Sequence, residues 1–212
     1  MTPELFHDRA RCGGAMAAGR TYQLAGGAVR WSMFILAVAL VLPIDAAFMP
    51  VFSIAGASPS LAGILAAFVS LNASRRAAWW GCFLMGLLVD LSSPQLVMGS
   101  LLFLPGPNTL GFALGSGTVT VMRSLLLRRS MLTVAAMTFV LLLAVSLIWV
   151  FIWSVRGIWL DGSVPFSGSA LQELGKRMGW CLSSAVVGLP IGWALNRTYS
   201  WWGFPGVGPR KF

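Results

Sequence analysis

Between Met131 and Val155 the chain runs for 25 residues with no charged side chain and no proline. At about 1.5 Å per helical residue such a run reaches ~37 Å, more than the ~30 Å of a bilayer's hydrocarbon. The remainder of the chain agrees with it. Of 212 residues, 57% are hydrophobic and only 10% charged, against about 45–50% and about 25% in soluble domains. A soluble fold of this size could not hide that much apolar surface and keep a wetted exterior. The sequence predicts an all-α, polytopic membrane protein.

Five more apolar runs bring the expected number of spans to six: Trp31–Val51, Ser60–Ala73, Ala77–Leu91, Thr109–Met122, Met131–Val155 and Met178–Leu195. They place one transmembrane helical domain at residues 31–196, between a Gly/Ala/Arg-rich tail (1–30) and a basic tail (197–212). Pro43 and Asp45 interrupt the first span. That run is about twice as long as a signal-peptide core, so it is read as an uncleaved span. The stretch "LPGPN" (Leu104–Asn108) is expected to turn, since its prolines lack donors and its glycine frees the backbone. Residues 95–108 read as a broken or re-entrant segment. Arg156–Arg177 reads as a polar loop.

With six spans, twelve of the 15 Lys and Arg residues fall on one side. By the positive-inside rule both termini are then cytoplasmic, as are the basic turns carrying Arg75 and Arg76 and then Arg123, Arg128 and Arg129. The net charge of +9 would suggest nucleic acid in a soluble protein. Here the arginines sit at the ends of apolar runs, beside anionic lipid, so membrane lipid is the expected partner and nucleic acid is not. Trp31, Trp79, Trp80, Trp201 and Trp202 flank the basic ends and Trp149, Trp153 and Trp159 one external end, the levels that amphipathic rings favour.

Catalytic chemistry is not expected. The single histidine, His7, precedes the first span, which leaves no imidazole for a serine or zinc protease within the bundle. Cys12, Cys82 and Cys181 lack metal-ligand spacing, and no phosphate-binding glycine loop is present. No cofactor and no metal are expected. Asp45 and Asp90 fall at similar depths, so three readings stay open: a proton-sharing aspartyl pair, a transport site, or structural hydrogen bonding inside the bundle. Asp90 has Ser92 and Ser93 as nearby donors. Gly111 and Gly115, and Gly188 and Gly192, each lie four apart on one helix face and are candidates for close helix packing.

The segment Leu61–Pro94 resembles the MreD family of bacterial rod shape-determining membrane proteins. Gly86, Leu87, Leu88, Asp90, Leu91 and Ser93 fit its G-L-L-x-D-L-x-S motif; Leu110, Gly111, Ala113 and Leu114 fit a following L-G-x-x-A-L motif; Arg123, Arg128 and Arg129 fit the basic turn after it. The likeness covers about residues 33–155. The connection from Asp90 to Leu110 is longer than is usual in that family, and Asp45 has no counterpart in the pattern. The resemblance implies a non-catalytic component of the cell-elongation machinery in the bacterial inner membrane. It implies work with the MreC transmembrane helix, and indirectly with MreB and the cell-wall polymerase and transpeptidase, in side-wall peptidoglycan synthesis. Docking of that helix on the small-residue faces is the expected mechanism. The alternative is a vitamin-binding membrane subunit of an energy-coupling-factor importer, with Asp45, Asp90, Asn108 and Trp149 lining a pocket.

Overall fold

The computed structural model describes residues 30–52, 58–92, 95–97, 100–102, 106–123, 130–159 and 169–204. Six α-helices lie among them: α1 (Trp31–Phe48), α2 (Leu61–Asn72), α3 (Arg75–Ser92), α4 (Pro107–Met122), α5 (Met131–Trp159) and α6 (Ala170–Arg197). Short 3-10 turns follow α1 at Met49–Phe52 and α6 at Tyr199–Trp201. Between α3 and α4 sits a small antiparallel hairpin, β1 (Gln95–Val97) and β2 (Ser100–Leu102), with Gln95 opposite Leu102. The all-α expectation did not contain it. A long connection beside hydrocarbon has to pair its own backbone groups, and a hairpin does that.

Among the described residues three helices are long and apolar enough to cross a membrane: Trp31–Phe52 with 22 residues, α5 with 29 and α6 with 28. These give the chain its membrane character. Helix α2, with 12 residues, reaches only about 18 Å, and α4, with 16, about 24 Å.

Residue pairs fix the directions of the helices. Gly111 and Gly115 of α4 face Val145 and Leu141 of α5, so those two run antiparallel. Cys181 and Arg177 of α6 meet Ser146 and Trp149 of α5, again antiparallel. Ser60 and Ile64 meet Ser184 and Gly188, so α2 and α6 run parallel. One set (α1, α3, α5) thus runs opposite to the other (α2, α4, α6).

The short helix α2 is the centre of the bundle. It packs against α1, α3, α4, α5 and α6, and nine of its residues are buried, from Ala62 to Ser70. Its run of Ala, Gly and Ser is what lets five neighbours approach one helix. Near its C-terminal end Phe68 meets Trp202 and Phe204, with ring centroids 5.4 and 5.9 Å away. The Arg30 N–H donates to the Trp202 carbonyl at 3.3 Å, and Gly203 supplies the left-handed turn (φ +64°) that this close approach requires. Arg30, Arg75, Arg76, Arg123 and Arg197 all lie at this basic end of the bundle.

Several expectations are corrected. Helix α1 continues through Pro43 and Asp45 without a break; Pro43 is exposed on its outer face. Helix α4 begins at Pro107 rather than Thr109, with proline at the first turn where its missing N–H costs nothing. The expected polar loop 156–177 is helical at both ends, since α5 continues to Trp159 and α6 begins at Ala170. Ser169 and Gln172 form a capping box there, and Glu173 accepts from Arg177 one turn on at 3.2 Å. Trp149, Trp153 and Trp202 are buried against the bundle rather than turned outward to lipid.

Candidate functional site

Helix α4 starts without a capping side chain of its own, because its N-cap is Gly106. Pro107 has no N–H, so the unsatisfied donors at this end are the backbone N–H groups of Gly106, Asn108 and Thr109. All three donate to Asp90 of α3, at 2.9, 3.2 and 2.9 Å. The Asn108 amide and the Thr109 hydroxyl add bonds of 2.9 and 2.7 Å. Asp90 is only 5% exposed, yet five donors converge on it. Its carboxylate is a helix cap delivered from the neighbouring helix. Of the serines expected to serve it, Ser92 instead donates its Oγ–H to the Leu88 carbonyl at 2.7 Å, and Ser93 lies outside the described residues.

Gly86, one turn before Asp90, makes the approach feasible. A Cβ there would stand 2.7 Å from Thr109 Cα and 2.8 Å from the Asn108 carbonyl oxygen, both backbone atoms. Nothing but glycine lets the start of α4 come this near to α3. At this joint Gly86 and Asp90 are buried and Leu88 and Leu91 exposed; just beyond it on α4, Gly111 and Ala113 are buried and Leu110 and Leu114 exposed.

Asp45 does for α2 what Asp90 does for α4. It accepts from the backbone N–H groups of Leu61 and Ala62 at 2.8 and 3.3 Å and from Ser60 Oγ at 3.3 Å. Ser60 Oγ in turn accepts from the Gly63 N–H at 3.2 Å. The Ser60 N–H donates to Ser184 Oγ at 2.9 Å, and that hydroxyl donates to the Trp180 carbonyl at 2.8 Å. The N-terminal donors of both short helices are thus satisfied by side chains of the bundle. Counting from the basic end, Asp45, Asp90, Val145 and Ser184 each lie about 20 Å up their helices. Both caps therefore sit in one layer where water is scarce and an orphaned N–H is costly. The two acids are committed to separate helices.

The spaced glycines are spent inside the bundle. A Cβ on Gly111 would meet Val145 Cα at 3.0 Å, and one on Gly115 the Leu141 carbonyl at 3.3 Å. On α6, Gly192 would meet Val134 at 3.0 Å, while Gly188 has only ordinary contact with Thr138 at 3.6 Å. Both pairs face α5 within the bundle.

Arg123 ties two turns together at the basic end, donating to the Ala73 carbonyl at 2.6 Å. Arg75 and Arg76 are exposed beside it. Arg128 and Arg129 of the same expected basic loop lie outside the described residues, as do His7 and Cys12. Among the described residues no group of His, Cys, Asp and Glu could hold a metal ion.

At the far end α5 and α6 run on past the capping layer. The Arg177 guanidinium lies 3.5 Å from the Trp149 ring centroid, and that of Arg156 lies 5.2 Å from the Trp153 ring centroid. Trp153 is fully buried. Its indole N–H and the Arg156 Nε–H have no hydrogen-bond acceptor.

Sequence reasoning missed Asn108 and Thr109 as partners of Asp90, and Ser60 and Ser184 as partners of Asp45's helix. One signal was present for the first: Gly106-Pro107 opens a helix with no Ser, Thr, Asp or Asn to cap it, so the cap had to come from elsewhere. Of the four residues proposed to line a vitamin pocket, Asp45, Asp90 and Asn108 are engaged in helix caps and Trp149 is buried beneath Arg177. No family model, no curated protein and no solved structure matches the chain.

Proposed function

We propose that the chain is a non-catalytic scaffold of the bacterial cell-elongation machinery, similar to the MreD family, lying in the inner membrane with six spans and both termini in the cytoplasm. The observation that carries this reading is the joint between α3 and α4. Gly86 and Asp90, of the first stretch that resembles the family's motifs, make this contact with Asn108 and Thr109, which immediately precede the second such stretch, Leu110–Leu114. A motif whose polar residue caps a helix serves architecture rather than chemistry, as a scaffold requires. The alternation of helix directions and the gathering of five arginines at one end support the six-span topology. The importer reading is the weaker one, since its lining residues are engaged in internal contacts.

The partner is the MreC transmembrane helix, docking on a face other than the filled glycine stripes, with the Arg75–Arg76 and Arg123 turns toward the cytoplasmic components. Depletion of the protein in its native bacterium tests the whole reading. Rounded, swollen cells are expected, together with co-purification of MreC in detergent. Cells of normal shape that acquire a vitamin requirement would overturn it in favour of the importer subunit.

A further inference from the structure

The far end of the α5–α6 pair holds donors that the bundle leaves unfilled. Trp153 is buried from solvent, and neither its indole N–H nor the Arg156 Nε–H finds an acceptor. The Arg156 guanidinium lies over the same indole ring, so the two groups are adjacent. Arg177 stands on the facing helix over Trp149, with Glu173 as its own partner. Among the described residues at this end, Arg156, Lys176 and Arg177 stand against one carboxylate, Glu173, which leaves a surplus of positive charge. The missing component is an acceptor, and with two guanidinium groups present an anionic one.

Depth says where that acceptor comes from. Trp153 stands about 33 Å up α5 from Met131, and Arg177 about 30 Å up α6 from Arg197. Both distances equal the thickness of a hydrocarbon core, which puts the cluster at the far headgroup level. Arg156 is the first charge that α5 meets after its apolar run. Around it Val155, Ile158 and Trp159 are exposed large apolar side chains, a surface suited to acyl chains and the glycerol region rather than to water.

We propose that Trp153, Arg156 and Arg177 form a binding site for the phosphate of an anionic phospholipid headgroup in the far leaflet. The phosphate oxygens accept from the Trp153 indole N–H and the Arg156 guanidinium, and the lipid tails lie along the exposed residues of α5. Arg177 supplies charge from the facing helix.

The test uses the full chain, purified in detergent and stripped of lipid, with thermal unfolding and native mass spectrometry as readouts. Dioleoylphosphatidylglycerol is titrated against dioleoylglycerol, which has the same tails without phosphate, and against inorganic phosphate. Phosphatidylglycerol alone should raise the unfolding temperature and remain bound. Arg156→Gln and Trp153→Phe should each raise its half-effective concentration about tenfold, the loss expected for one charge-assisted hydrogen bond. Arg76→Gln, at the opposite end, should leave it unchanged. The proposal is overturned if Arg156→Gln responds as the unsubstituted protein does, or if Arg76→Gln weakens binding equally. Equal stabilisation by dioleoylglycerol overturns the phosphate, and equal stabilisation by inorganic phosphate overturns the lipid. Should Trp153→Phe fail to fold, Arg156→Gln decides alone.

Discussion

Replacing Gly86 by alanine tests the joint between α3 and α4 most directly. In an unobstructed helix interior that substitution stabilises by about 0.5–1 kcal/mol, because glycine loses more backbone freedom on folding. Here the added methyl would sit 2.7 Å from Thr109 Cα and 2.8 Å from the Asn108 carbonyl oxygen. Backbone cannot swing aside as a flexible side chain can. To restore an ordinary contact of about 3.4 Å the start of α4 must retreat by ~0.7 Å. Asp90 holds Gly106 and Thr109 at 2.9 Å, so the same retreat stretches those bonds to ~3.6 Å, beyond useful hydrogen-bond range. Losing the cap costs about 1–2 kcal/mol and orphaning buried donors about 1–3 kcal/mol each. Set against the helix-propensity gain, the net destabilisation is about 2–4 kcal/mol, or a fall in Tm of about 5–15 °C.

Cys82 and Cys181 are free and buried, so in a Cys12→Ser background a thiol-reactive dye reports unfolding as they become accessible. Because the methyl acts by prying α4 away from Asp90, Gly86→Ala and Asp90→Ala should not add. The double variant should be more stable than the sum predicts by about 1 kcal/mol or more. An unchanged or raised Tm for Gly86→Ala would refute the steric argument, and strict additivity would refute the link to the cap.

Other substitutions separate the remaining contacts by the same assay. Asp90→Asn should lower stability by about 2–4 kcal/mol and Asp45→Asn by about 1–2 kcal/mol, since Asp45 is half-buried and two of its bonds are long; the reverse order would contradict the capping account. Gly111→Ala should cost about 1–3 kcal/mol through overpacking on Val145, whereas Gly117→Ala, which meets nothing within 4 Å, should be neutral or stabilise by up to about 1 kcal/mol. Arg123→Gln removes a half-buried bond to the Ala73 carbonyl and should cost about 1 kcal/mol, read as earlier labelling of Cys82 on heating.

The helices were legible in the sequence because each is built on an apolar run, and the burial of Asp90 followed from its place at the end of one. Helix ends were harder. Glu173, Lys176 and Arg177 looked like loop because they are charged, but charge at headgroup depth is compatible with a helix, and the capping box at Ser169 was there to be read. The roles of the two acids were not legible, because their partners lie a connection away and only the fold brings them together. The glycine spacings announced close packing without saying against what. That Trp149 and Trp153 turn inward was hidden for a related reason: composition gives their depth along α5, but not that they are buried in the bundle.

Two helix ends, each carrying about half a positive charge, face one layer inside this bundle. In transporters such half-depth helix starts hold the anionic group of a substrate. Here a carboxylate fills each one, and it is covalently attached to the neighbouring helix, so the protein is in effect a receptor for a ligand it supplies itself. Asp90→Gly would separate receptor from ligand, leaving a carboxylate-sized space beneath the Gly106, Asn108 and Thr109 donors. Formate or acetate in solution should then restore part of the lost stability in that variant, while leaving the unsubstituted protein unmoved.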